Sequence, residues 1–150
     1  MAGKSTLIRA IGLNAILAYS GAAVCAERMS LSLFSVCAAI SIHDSLLNGR
    51  SKFFAEMDRL RYALNLTKSK KPVLFLIDEP LSGTNSRDRR IAAEAIVKAL
   101  IQGGALGIIS THDLALTELA AIPDLRGINV HMGSKDASDP MNFDFKAWRN

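Results

Sequence analysis

Aromatic side chains are scarce in this chain: one tryptophan, two tyrosines and six phenylalanines make up 6% of 150 residues. Cysteine is scarcer, with only Cys25 and Cys37. Two thiols too far apart for a C-x-x-C pair exclude a disulfide scaffold and a zinc ribbon. They read as buried, reduced thiols of a cytosolic protein. No histidine and cysteine cluster has metal-ligand spacing, so no zinc site is expected. Long apolar runs are missing as well. The longest, residues 13–26, is broken by Asn14, Tyr19, Ser20 and Gly21 and is too short to cross a bilayer. Lys4 and Arg9 lie near the N-terminus without a cleavage-site pattern, which argues against a secretory signal. There are no repeats and no low-complexity tract. Eighteen basic against 14 acidic residues give a net charge of +4, which permits an anionic partner without requiring one.

What is present is aliphatic. Hydrophobic residues make up 49% of the sequence, mostly Leu, Ile, Val and Ala, enough for the core of one α/β domain. Residues 5–19 carry apolar side chains around most of a helical circumference and predict a largely buried helix, ended by Gly21. Residues 30–42 lean towards one or two strands. "DSLLNGR" (44–50) reads as a loop. Ser51 is placed to cap a helix with Phe53, Phe54, Met57, Leu60 and Leu64 at three-to-four spacing. "KSKK" and Pro72 form an exposed break. "VLFLID" (73–78) is a continuous apolar run, the mark of a strand buried on both faces. After the loop "EPLSGTNS", Asn85 or Ser86 caps a helix running to about Gln102, with Ala92, Ala95, Ile96 and Ala99 on one face. Gly103 and Gly104 stop it. "ALGIIS" (105–110) is a second buried strand. Strand, helix, strand with short joins predicts a βαβ unit and a parallel sheet. A short helix near residues 114–121 follows. The tail alternates weakly, and "MNFDFKAW" fits the second strand of a hairpin.

Three stretches carry chemistry on their own. "GKST" (3–6) matches the second half of G-x-x-x-x-G-K-[ST], whose leading glycine would stand five residues before Gly3, upstream of Met1. Gly3 allows close backbone approach. Lys4 is placed to reach β- and γ-phosphates, the Ser5 hydroxyl to bind Mg²⁺, and the helix start with Thr6 to face the anion. The alternative is a chance match at a polar helix start. "VLFLIDEP" ends a buried strand in two carboxylates. Asp78 fits a magnesium-associated position and Glu79 the residue that orients an attacking water. "IISTHD" puts His112 just past the next strand, where a sensor of the γ-phosphate would sit. His43 and His131 have no comparable setting and read as surface residues.

In the order "MAGKST", "GRSKFFAEMDRL", "LIDEPLSGTNSRDR" and "STHDLALTEL", these stretches resemble the ATPase domain of the MutS family, within the wider ABC-type ATPases. The resemblance runs from Met1 to about Leu119 and more faintly through "FDFK". The "SGTNSRDR" form looks closest to MutS-related proteins without a mismatch-reading domain. Pro80 departs from the family, where an aliphatic residue is usual, and is similar to the transporter-type "DEP".

The resemblance implies an α/β P-loop NTPase: a mainly parallel sheet flanked by helices, occupying residues 1–150. It implies ATP and Mg²⁺, with catalytic roles for Glu79 and His112. Gly3, Lys4, Ser5 and Thr6 would contact nucleotide, and Ser5 and Asp78 the metal. Ser51 matches the signature serine, which in the family points at nucleotide held by the opposite subunit. Gly83, Thr84 and Asn85 match the loop that crosses the dimer interface. A homodimer with composite ATP sites follows, acting on DNA through regions outside this chain, without a membrane and in the cytoplasm. In the family Gly-Pro-Asn precedes "MAGKST". Met1 is therefore expected to be an internal methionine, with the strand feeding the loop and several phosphate donors lying upstream. The chain as written is expected to bind ATP poorly, and its sheet to show an unpaired slot or edge. Two other readings are another ABC-type ATPase, which would carry an LSGGQ-like signature where "GRSKFFAEM" stands here, and a non-catalytic interaction module. Arg87, Arg89 and Arg90 read equally as a solvated helix face.

Overall fold

The structure, a computed structural model, describes residues 3–40, 52–82, 84–134 and 143–149, with 52, 53, 86, 133, 134 and 143–149 described by backbone alone. The helix α1 (Lys4–Tyr19) leads to strand β1 (Ser35–Ala39), α2 (Lys52–Leu66), β2 (Val73–Asp78), α3 (Ser86–Gln102), β3 (Leu106–Ser110) and the single turn α4 (Leu114–Thr117). Short 3₁₀ turns follow, and then the hairpin strands β4 (Val130–Ser134) and β5 (Phe143–Arg149).

The strands β1, β2 and β3 form one parallel sheet in that order. Val36 pairs with Leu74 on one side of β2, and Asp78 with Ser110 on the other. β2 is central because its run is apolar on both faces, as expected; Val73 through Ile77 are all buried. Side chains alternate along it. Val73, Phe75 and Ile77 face Leu60 and Ala63 of α2 and Leu100 of α3. Leu74 and Leu76 face Ile8 and Ile11 of α1. Helices thus cover both faces, and among the described residues the edges of the sheet are β1 and β3. Gly12 faces the sheet where α1 crosses it: a Cβ there would stand 2.8 Å from Leu76 Cδ1, and that side-chain tip would have to shift.

Four expectations need correction. β3 is not a strand buried on both faces: it lies at the edge of the sheet, with Leu106 48% exposed and Ser110 its one buried residue. α1 is not largely buried: only Ile8 and Ala15 are, while Leu13 is 61% and Ile16 50% exposed. It lies on a three-stranded sheet, which reaches only one stripe of it. On α2 the buried face is Glu56, Leu60 and Ala63, with Phe54 and Met57 exposed. The Glu56 carboxylate enters the interior and the Phe54 ring does not; the Phe53 side chain lies outside the described residues. Cys25 is exposed, whereas Cys37 on β1 is buried as expected. Burial pushes the Cys37 thiol up from its ordinary pKa, against a smaller opposing pull from Arg59.

The remaining elements follow their local signals, except that the buried face of α3 is Ala93, Val97 and Leu100, while Ala95 and Ala99 of the expected face are exposed. Asn85 caps α3, its side chain accepting the Asp88 N–H at 2.9 Å. The helix ends at Gly103 and Gly104, the latter at φ 78. The face formed by Ala93 and Val97 supports Leu116, Leu119 and Leu125 in a second cluster. β4 and β5 pair antiparallel, as the tail's alternation suggested, with an irregularity between Met132 and Ser134. No helix among the described residues is long and apolar enough to cross a membrane.

Candidate functional site

In a parallel sheet the strand ends that carry ligands all point the same way. β2 ends at Asp78 and β3 at Ser110, a registered pair. The Ser110 hydroxyl donates to Asp78 Oδ1, fixing that carboxylate against the sheet. One residue on, the Glu79 N–H donates to the Ser110 carbonyl at 3.0 Å. Glu79 then turns into the left-handed region, φ 52, which breaks the strand and swings its side chain across to the next loop. There Oε2 lies 2.7 Å from His112 Nδ1 and accepts the His112 backbone N–H at 3.3 Å. A carboxylate can only accept, so Nδ1 is the donor and Nε2 is left for another partner. The pair is open to solvent, with Glu79 29% and His112 68% exposed.

α1 begins at the same end. Gly3 opens it at φ 64, with no side-chain cap and no acidic residue in the first turn. The first-turn amides, at Lys4, Ser5 and Thr6, therefore have no acceptor within the helix, which favours an anion at its start. The Lys4 ammonium reaches across to the Thr111 carbonyl, 2.6 Å away, the residue just before His112. One lysine thus ties the helix start to the loop that carries the histidine. A neutral carbonyl is a weaker partner for an ammonium than an ionised oxygen.

The sequence profile of MutS domain V matches residues 1–149. The chain belongs to the MutS family. It is 37% identical over 144 residues to a DNA mismatch repair protein MutS of Thermus thermophilus, covering 95% of this chain and 17% of that protein. The Thermotoga maritima protein of the same name is 39% identical over 120 residues, 79% of this chain and 15% of its own length. That of Natronomonas pharaonis is 33% identical over 147 residues, 96% of this chain and 17% of its own. The chain thus spans less than a fifth of these MutS relatives.

Of the residues singled out in this MutS-family sequence, Lys4, Glu79 and His112 come together through Thr111, and Asp78 stands beside them at the strand end. Asn85 does not join them. Its carboxamide is exposed and occupied by Asp88, through the Asp88 N–H and a 2.6 Å bond to Oδ2. Ser51 and Gly83 lie outside the described residues. His131 is exposed, as expected, and His43 lies outside the described residues.

Arg89 is the main correction among the basic residues. It is not on a solvated face: its side chain and that of its partner Asp113 are each 14% exposed, 3.3 Å apart. Arg87 is exposed, and Arg90 pairs at the surface with Glu118. Sequence reasoning also missed Ser110, Glu56 and Asp113. The signal for Arg89 was its place four residues before Ala93 and eight before Val97, on the buried stripe of α3. Glu56 stands four and seven residues before Leu60 and Ala63 in the same way.

Proposed function

We propose that this chain is the ATP-binding and ATP-hydrolysing part of a MutS-like protein, an ABC-type P-loop NTPase. The observation that carries the reading is the meeting of Lys4, Glu79 and His112 at the carboxyl ends of β2 and β3. Lys4 exchanges the Thr111 carbonyl for a phosphate oxygen, while the α1 amides hold the phosphate from below. Glu79 orients the attacking water, and His112, held on Glu79 through Nδ1, presents its other nitrogen towards the terminal phosphate.

The donors available for a metal are the Ser5 hydroxyl and the Asp78 carboxylate, both hard oxygens. Among the described residues there is no group of three or more His, Cys, Asp or Glu that could form a cage. That fits Mg²⁺, which takes one or two protein oxygens and completes its shell with water and substrate phosphates. When bound it supplies charge neutralisation on the phosphates. Asp78, fixed by Ser110, and Ser5 at the start of α1 would hold it.

The relatives are named as DNA mismatch repair proteins. By extension the intact protein couples ATP turnover in a homodimer, with Ser51 completing the partner's site, to action on DNA through regions outside this chain. The test is Mg²⁺-dependent phosphate release and nucleotide binding, on this chain and on a version extended upstream to complete the G-x-x-x-x-G-K-S loop. In the extended protein Lys4→Ala should lose binding. Glu79→Gln should keep binding and lose about 100-fold or more in turnover. Equal loss of binding in both variants would contradict this division of roles.

A further inference from the structure

The turn after β2 is held in a conformation its residues do not choose. Glu79 and Leu81, on either side of Pro80, both lie in the left-handed region, at φ 52 and 55. Non-glycine residues adopt it uncommonly, and a bulky one such as Leu81 needs support from its surroundings. That support is gathered on Leu81. Its side chain is fully buried. Its N–H donates to Oε1 of the buried Glu56, on α2, at 2.5 Å. Its carbonyl accepts from Arg89 Nε, on α3, at 3.3 Å. One backbone unit is thus gripped from both sides by a carboxylate and a guanidinium.

The same guanidinium makes two more bonds. One terminal nitrogen donates to the Thr84 carbonyl at 3.0 Å, the other to Asp113 Oδ2 at 3.3 Å. Asp113 follows His112 directly. Its N–H rests on Thr111 Oγ1 at 3.0 Å, and its second oxygen caps α4 through the Ala115 N–H at 3.0 Å. Arg89 therefore joins the turn that carries Glu79 to the turn that carries His112. It does so largely out of solvent, where such a bond is not weakened as at an exposed surface. Three bonds in three directions from one planar group suit arginine; a lysine has the charge without the fork.

We infer that Arg89, opposed by Glu56 across the Leu81 backbone, is a positioning residue that sets the Glu79 carboxylate against His112. For its effect on turnover this rests on the ATPase reading. The geometric claim does not. Neither side chain needs to touch nucleotide. Each acts through the turn, and a disturbance of either moves Glu79 relative to the histidine.

The experiment follows the ring nitrogens of His112 by NMR in the folded chain, together with kcat and KM for ATP in the extended protein. Glu79→Gln, which removes the carboxylate, sets the reference displacement of the Nδ1 signal. Arg89→Lys should move that signal in the same direction, and adding Glu79→Gln should move it little further. Arg87→Lys, an exposed neighbour on the same helix, should leave it in place. In turnover Arg89→Lys should lower kcat by about tenfold to a hundredfold, as for a small misplacement of catalytic groups, with KM changed less than about twofold. Glu56→Gln keeps an acceptor for the Leu81 N–H and should stay closer to the native signal than Glu56→Ala. An unmoved His112 signal in folded Arg89→Lys overturns the inference, as does a Glu56→Ala signal identical to the native one. If the native protein and Glu79→Gln hydrolyse ATP equally, the ATPase reading fails, and the His112 signal still decides the positioning claim.

Discussion

Replacing Leu81 by alanine and by glycine separates the strain in the turn after β2 from the packing that holds it. The leucine side chain is fully buried, so truncation to alanine should cost about 3 kcal/mol, within the range for buried leucines. Glycine removes the same contacts. It adds freedom to the unfolded chain, worth about 0.4–1 kcal/mol, but it relieves a left-handed conformation that costs an L-residue about 1–2 kcal/mol. At φ 55 the second effect is the larger, and glycine should be the more stable of the two by about 0.5–1 kcal/mol. Leu100, equally buried but within α3, provides the control. There glycine should be worse than alanine by about 1 kcal/mol. Urea unfolding reads the contrast between the sites as a difference in midpoint of roughly 1 M. If glycine is the weaker substitution at both positions by the same amount, the turn is not strained, and the case for Glu56 and Arg89 holding it loses its physical basis.

Two further outcomes are expected. Alkylation of the folded protein should modify the exposed Cys25 first and spare Cys37. Because burial raises the Cys37 pKa, its folded-state thiol should react only at a pH above the ordinary thiol range. The same shift favours the native state below that range and is lost as pH rises through the folded value; simultaneous modification of both thiols at neutral pH in the native state would count against this. In the extended protein, mixing Ser51→Ala with Lys4→Ala should restore part of the ATPase activity, since each mixed dimer keeps one intact composite site. No recovery while mixed dimers demonstrably form would rule out a role for Ser51 across the dimer.

β2 was legible because it carries its own signal, whereas β3 was placed but read as buried when it is an edge strand with Leu106 exposed. "VLFLID" matches Val73–Asp78 residue for residue, and a run of aliphatics closed by two carboxylates marks where a buried strand meets solvent. The caps of α3 were legible for the same local reason. The faces of the helices were not. α1 is apolar almost all round, so its pattern does not say that the sheet would cover only one stripe. On α2 the aromatic residues outweighed Glu56 in the pattern, although Glu56 lies on the face that enters the core. Lys4, Asp78, Glu79 and His112 could be picked out because each sits at the end of an element. Arg89 and Glu56 could not, because Asp113 and Leu81 lie 24 and 25 residues from them and come near only when the sheet and its helices assemble.

The central claim is that Lys4, Glu79 and His112 surround one phosphate site. It is tested most directly by titrating the ¹⁵N-labelled, upstream-extended protein with Mg²⁺ and ATP and following every assigned amide. Saturable shifts should concentrate at residues 3–6, 78, 79 and 110–112, with the Thr111 region responding as Lys4 leaves its carbonyl, and Lys4→Ala should abolish them. No saturable change, or shifts centred on the β4–β5 hairpin and unaffected by Lys4→Ala, would contradict the account.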